Sequence, residues 1–76
     1  MQYKVSAYLC TNFAGLMDNL ETDNFYEVQD FVHEQCMKGF TCEVRNMETG
    51  DLGLIYAESY CEEFNGEGIS ENYINA

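Results

Sequence analysis

The stretch from Thr22 to Gly39, TDNFYEVQDFVHEQCMKG, constrains the fold more than any other part of the chain. Phe25, Val28, Phe31, Val32 and Cys36 recur at three- and four-residue spacing, which lays one apolar stripe along an α-helix, while Glu27, Asp30 and Glu34 fall away from it. A helix with one apolar side must bury it against a second layer. Thr22, Asp23 or Asn24 marks its start, and Asn24 followed by Glu27 fits a capping box. Lys38 suits the negative end of the helix dipole, and Gly39 is placed to terminate the helix.

Strands supply that second layer. Residues 2–10 alternate, with Tyr3, Val5, Ala7 and Leu9 on one face and Lys4, Ser6 and Tyr8 on the other. Phe40 to Met47 alternates again, with Phe40, Cys42 and Val44 inward and Thr41, Glu43 and Arg45 outward. Glu48, Thr49, Gly50 and Asp51 are turn residues, Gly50 supplying the positive φ that a tight hairpin needs. A third strand is expected over roughly Leu52 to Tyr60, and its nearly continuous apolar middle, LGLIYA, suits a central position. Residues 11–21 read as a long loop on the sheet edge or a short helical turn. Residues 61–76 read as a mobile acidic tail, or as a short fourth strand or helical turn anchored by Ile69, Tyr73 and Ile74.

This order predicts a single α+β domain over residues 1–76, built β-α-β-β, with one amphipathic helix packed on a three-stranded antiparallel sheet. A helical crossover would return the second strand parallel to the first, so the third is expected between them, in the order 2-3-1 with right-handed connection. The sheet face bearing Lys4, Ser6, Tyr8, Thr41, Glu43 and Arg45 is then left for water or a partner.

Size and charge narrow the function. A chain of 76 residues buries only about 60–65% of its unfolded surface, which leaves one core and no room for a deep substrate cavity. No catalytic motif stands in the sequence, so a non-enzymatic protein is expected. Fourteen Asp and Glu against three Lys and Arg give a net charge of −11, which repels nucleic acid and anionic membrane and favours basic surfaces. No Lys or Arg lies between Val5 and Met37 or after Arg45, so local pairing leaves most acids unneutralised. The apolar share of 46% nevertheless argues against disorder.

Metal and thiol chemistry fit poorly. Stretches beginning at Asp18 and Glu63 lack the ligand pattern of a calcium-binding loop, the second placing Ile74 where a bidentate Glu is needed. Zinc would draw on Cys10, His33, Cys36, Cys42 and Cys61, yet no Cys-x-x-Cys pair exists. Acidic surroundings weaken a cysteine nucleophile with His33 as base. An even number of cysteines permits disulfides, but Cys36 and Cys42 lie at inward positions, where reduced core thiols are the plainer reading. No cofactor is expected. No apolar run approaches the roughly 20 residues that span a bilayer, and a soluble protein of the cytoplasm is expected.

The candidate binding residues are therefore acids. Asp18, Glu21 and Asp23 lead into Glu27, Asp30 and Glu34, a row of carboxylates that a Lys- and Arg-lined groove built for phosphates would accept. Glu58, Glu62, Glu63, Glu67 and Glu71 extend the set, and Tyr26, Tyr60, Phe64 and Tyr73 would give partner Arg side chains rings to stack on. The plain alternatives are a solvated helix face and a solubilising tail. In size, charge and compactness the chain resembles the small phage-encoded inhibitors that mimic nucleic acid, anti-restriction and anti-CRISPR proteins among them. The resemblance is of class and carries no signature residues. It implies a stoichiometric inhibitor that fills the DNA or RNA channel of a nucleic-acid enzyme in a bacterial host. Rival readings are a regulatory module that binds a basic protein by sheet-edge pairing, and a subunit that packs through exposed aromatics. Homodimerisation would join two helix faces into a longer charged rod.

Overall fold

The computed structural model describes residues 2–9, 15–64 and 69, with the side chains of 61–64 left out. The elements run β1 (Tyr3–Tyr8), β2 (Leu16–Thr22), α1 (Phe25–Met37), β3 (Thr41–Asn46), β4 (Leu52–Ile55) and α2 (Ala57–Phe64). The class is α+β, with α1 packed on an antiparallel sheet, here of four strands in the order β2-β1-β3-β4.

The helix forms where the apolar stripe requires it. Phe25, Val28, Val32 and Cys36 are buried, Phe31 is half-buried, and Gln35 joins them inside. Asn24 is the N-cap, its side chain accepting the Tyr26 N–H at 2.9 Å. The expected capping box between Asn24 and Glu27 does not form, because Thr22 takes the Asn24 N–H that Glu27 would have accepted. The Thr22 hydroxyl accepts the Asn24 N–H at 3.0 Å and donates to the Glu27 carboxylate at 3.1 Å. At the other end Gly39 takes φ +89°, Phe40 N–H donates to the Gln35 carbonyl and Gly39 N–H to that of Cys36, each at 3.0 Å. This is a Schellman turn, with Phe40 folding back onto the core.

The expectation of a loop or helical turn over 11–21 is corrected from Leu16 on, because Leu16–Thr22 form an edge strand; residues 11–14 lie outside the described residues. Tyr3 faces Thr22, Val5 faces Leu20 and Ala7 faces Asp18, after which a bulge brings Tyr8 opposite Leu16. Only Leu20 and Thr22 are even partly buried, so backbone pairing with β1 rather than side-chain burial specifies this strand. Its presence reverses the chain before the helix. The crossover β2-α1-β3 therefore returns the chain antiparallel to β1, and β3 pairs with β1 directly, Val5 opposite Val44. The expected order 2-3-1 is overturned for that reason: no strand is needed between them.

The hairpin after β3 is as expected. Asn46 Oδ1 accepts the N–H groups of Glu48 and Thr49, Gly50 N–H returns to the Asn46 carbonyl at 2.8 Å, and Gly50 sits at φ +82°. The third expected strand is corrected in length and place. It stops at Ile55, lies at the sheet edge, and gives way to α2 at Ala57. Residues 61–64 thus belong to a helix. Ile69 is buried, and the Gln29 amide donates to its carbonyl at 2.6 Å. Residues 65–68 and 70–76, where the tail, Tyr73 and Ile74 fall, lie outside the described residues.

Tyr3, Val5, Ala7, Val28, Val32, Cys42, Val44, Ile55, Tyr60 and Ile69 are the heart of one core. Nothing lies within 4 Å of a Cβ built on Gly39, so Gly39→Ala meets only the left-handed backbone strain. It is expected to cost about 1 kcal/mol and to lower Tm by about 4–8 °C. Circular dichroism melting checks this; an unchanged Tm would mean that the turn does not limit stability.

Candidate functional site

The outward side of α1 is the best-defined part of the candidate surface. Glu27, Asp30 and Glu34 are exposed along one helix face, at axial steps of about 4.5 and 6 Å. Glu34 pairs with Lys38 at 3.3 Å, but both side chains are more than half exposed, so the pair is weak and does little to cancel the row. Asp30 has no ion pair among the described residues. Tyr26 is 76% exposed one helical turn before Asp30, and Met37 lies exposed further along the same flank. A large ring beside uncompensated carboxylates is a combination that an Arg side chain satisfies at both its planar face and its charge.

Other members of the predicted row are placed elsewhere. Asp23 is exposed just before the N-cap and accepts the Gln2 N–H at 2.6 Å, tying the start of β1 to the helix entry. Asp18 and Glu21 are exposed on β2 but, three residues apart on a strand, point to opposite faces. Asp18 accepts its neighbour's N–H, from Asn19, at 2.8 Å. Glu21 stands opposite Lys4 on the sheet face away from α1. The six acids therefore do not form one line: four lie along or just before α1, and two sit on the edge strand. Glu58 is exposed in the first turn of α2; Glu62 and Glu63 follow it in the helix, and Glu67 and Glu71 lie outside the described residues.

Cations are segregated from this face. Lys4 and Arg45 are direct cross-strand neighbours on β1 and β3, a like-charge pair that Glu21 on one side and Glu43 on the other offset. Arg45 reaches Glu43 at 3.6 Å. Two of the three basic residues thus lie on the sheet face away from α1, and α1 keeps Lys38 alone; that face is less open than expected, because Ser6 and Thr41 on it are buried.

Of the expected aromatic anchors, Tyr26 is available and Tyr60 is not. Tyr60 is fully buried, its hydroxyl 2.8 Å from His33 Nδ1 and its ring edge-on to the imidazole at 5.6 Å between centroids. This contact, which sequence reading missed, docks α2 on α1. The spacing of Ala57, Tyr60, Cys61 and Phe64 was its available signal. Phe64 lies among the undescribed side chains. With His33 engaged by Tyr60 and Cys36 turned into the core, the two are not poised as joint zinc ligands, and no three His, Cys, Asp or Glu among the described residues gather to hold a metal ion.

Compared with family models, curated proteins and solved structures, the chain matches none. No helix among the described residues is long and apolar enough to cross a membrane.

The docking of α2 yields a graded prediction. Tyr60→Phe keeps the ring and should cost about 1 kcal/mol for the lost hydrogen bond, whereas Tyr60→Ala should cost about 3–5 kcal/mol. Urea titration measures both. Equal losses would assign the stability to the hydroxyl instead of the buried ring.

Proposed function

We propose that this protein is an acidic interaction module acting as a stoichiometric inhibitor, its α1 face standing in for nucleic acid in the basic channel of a bacterial nucleic-acid enzyme, a CRISPR effector or a restriction enzyme. The observation that carries the reading is the exposed run Glu27, Asp30 and Glu34 on a capped, core-anchored helix, with Tyr26 beside it and Lys38 as the one local cation. A fixed row of carboxylates meets fixed Lys and Arg side chains without ordering a flexible segment first, so less binding energy is lost to entropy. Axial steps of about 4.5 and 6 Å are of the same order as the ~3.4 Å charge spacing per strand of duplex DNA. Charge against charge also sets the kinetics: association is fast at low salt and falls steeply as salt rises.

A second reading draws on β2. Its Leu16 and Met17 are exposed at the sheet edge, a surface suited to pairing with a strand of a basic regulatory partner. That mode depends on backbone hydrogen bonds and is indifferent to the helix acids.

The test is cleavage by purified restriction enzymes and CRISPR effectors, titrated with the wild-type protein and with Glu27→Gln, Asp30→Asn, Glu34→Gln combined. Wild type should inhibit at a one-to-one ratio, be displaced by excess nucleic acid, and weaken with salt. The triple variant should stay folded and bind about 100-fold more weakly, at roughly 1 kcal/mol for each lost charge-assisted contact. Binding that survives both salt and the triple substitution, but fails with Asn19→Pro on β2, would overturn the mimic in favour of sheet-edge pairing.

A further inference from the structure

Two cysteines meet in the core. Cys36 lies in the last turn of α1 and Cys42 is the second residue of β3, joined by the tight turn through Gly39. Cys36 is 5% exposed and Cys42 is 0% exposed; neither is in a disulfide, and their thiols are hydrogen-bonded to each other. A solitary buried thiol is inert because burial disfavours its thiolate and no partner sulfur is near. Here each sulfur has the other as its neighbour.

The pair is also polarised. The hydrogen bond from Cys42 holds the Cys36 thiol below its ordinary range despite burial, whereas the same bond, then burial, pushes the Cys42 thiol well up. Cys36 is the more accessible of the two and lies at a helix end, where local opening costs least, so it is the sulfur that meets an oxidant first.

We propose that Cys36 and Cys42 form an oxidation site, a dithiol that hydrogen peroxide converts into a disulfide linking the end of α1 to the centre of the sheet. The Cys36 thiolate attacks one peroxide oxygen and the O–O bond breaks. Hydroxide leaves and takes up the thiol proton as water, and Cys36 is left as sulfenic acid. The Cys42 sulfur then attacks the Cys36 sulfur, the S–O bond breaks, and the hydroxyl departs with the Cys42 proton as a second water. Two thiols are oxidised by two electrons and one peroxide is reduced. The new bond closes a seven-residue ring from 36 to 42 and fixes the helix that carries Glu27, Asp30 and Glu34.

Trypsin separates the two thiols, because cleavage after Lys4, Lys38 and Arg45 leaves Cys36 in peptide 5–38 and Cys42 in peptide 39–45. Native protein treated with a small excess of peroxide, then alkylated and digested, should yield these peptides joined and two hydrogens lighter than their sum, with separation on reduction. Its Tm should rise by about 5–15 °C. Cys10 shares peptide 5–38, so a Cys10→Ser, Cys61→Ser protein, holding only this pair, should give the same joined product within one chain. Cys42→Ser should halt at a sulfenic acid on Cys36 that dimedone traps. The proposal is overturned if wild type and double variant both yield the two cysteines separately alkylated or over-oxidised, or joined only between chains.

Discussion

One helix is narrower than four strands. Strands lie about 4.8 Å apart, so the sheet is some 15 Å across between its outer strands, while a helix with its side chains spans about 10–12 Å. α1 therefore shelters the middle of the sheet, and the rest of the molecule follows from that shortfall. β1 and β3 carry the core residues Tyr3, Val5, Ala7, Cys42 and Val44, while β2 exposes nearly all of its side chains. α2 and Ile69 supply further cover, held through His33–Tyr60 and Gln29–Ile69. Among the described residues, no strand pairs with the outer edges of β2 and β4, and no element lies above the outward face of α1.

That same shortfall decides what could be read in advance. Where burial shapes the pattern, the sequence was plain: the stripe from Phe25 to Cys36 and the alternation in β1 and β3 have side chains that must face one way, while the exposed Asn46–Asp51 turn was legible from its turn residues, Gly50 above all. β2 was illegible because LMDNLET has almost nothing inside, and its bulge near Met17 breaks even the residual alternation. Missing one strand then reversed the apparent direction of everything after it, which is how β4 came to be expected at the centre. The apolar run LGLIYA misled in a second way, since its Tyr56 and Ala57 lie beyond the strand, at the approach to a helix.

The candidate site shows the same division. Glu27, Asp30 and Glu34 were placed together by helix periodicity, and they do share a face. Asp18 and Glu21 were grouped with them by sequence proximity alone, which ceases to mean spatial order once a strand intervenes. Nor does composition reveal that Lys4 and Arg45 face each other across two strands; that needs the register. Their pairing removes positive charge from the helix side, so the acidity of α1 is a consequence of topology as well as of sequence.

The placement of β1 between β2 and β3 also bears on how the chain is assembled. During synthesis the first strand can close its hairpin with β2 early, since Val5 and Leu20 are only fifteen residues apart. The opposite edge of β1 must wait for Val44, and until then α1 has half a sheet to rest on. The β1–β3 pairing thus closes a long loop that carries the helix within it, at an entropic cost set by bringing distant segments together. An interior position for β1 makes the hairpin of β1 and β2 a template with one open side, whose occupant β3 begins about twenty residues after the hairpin ends.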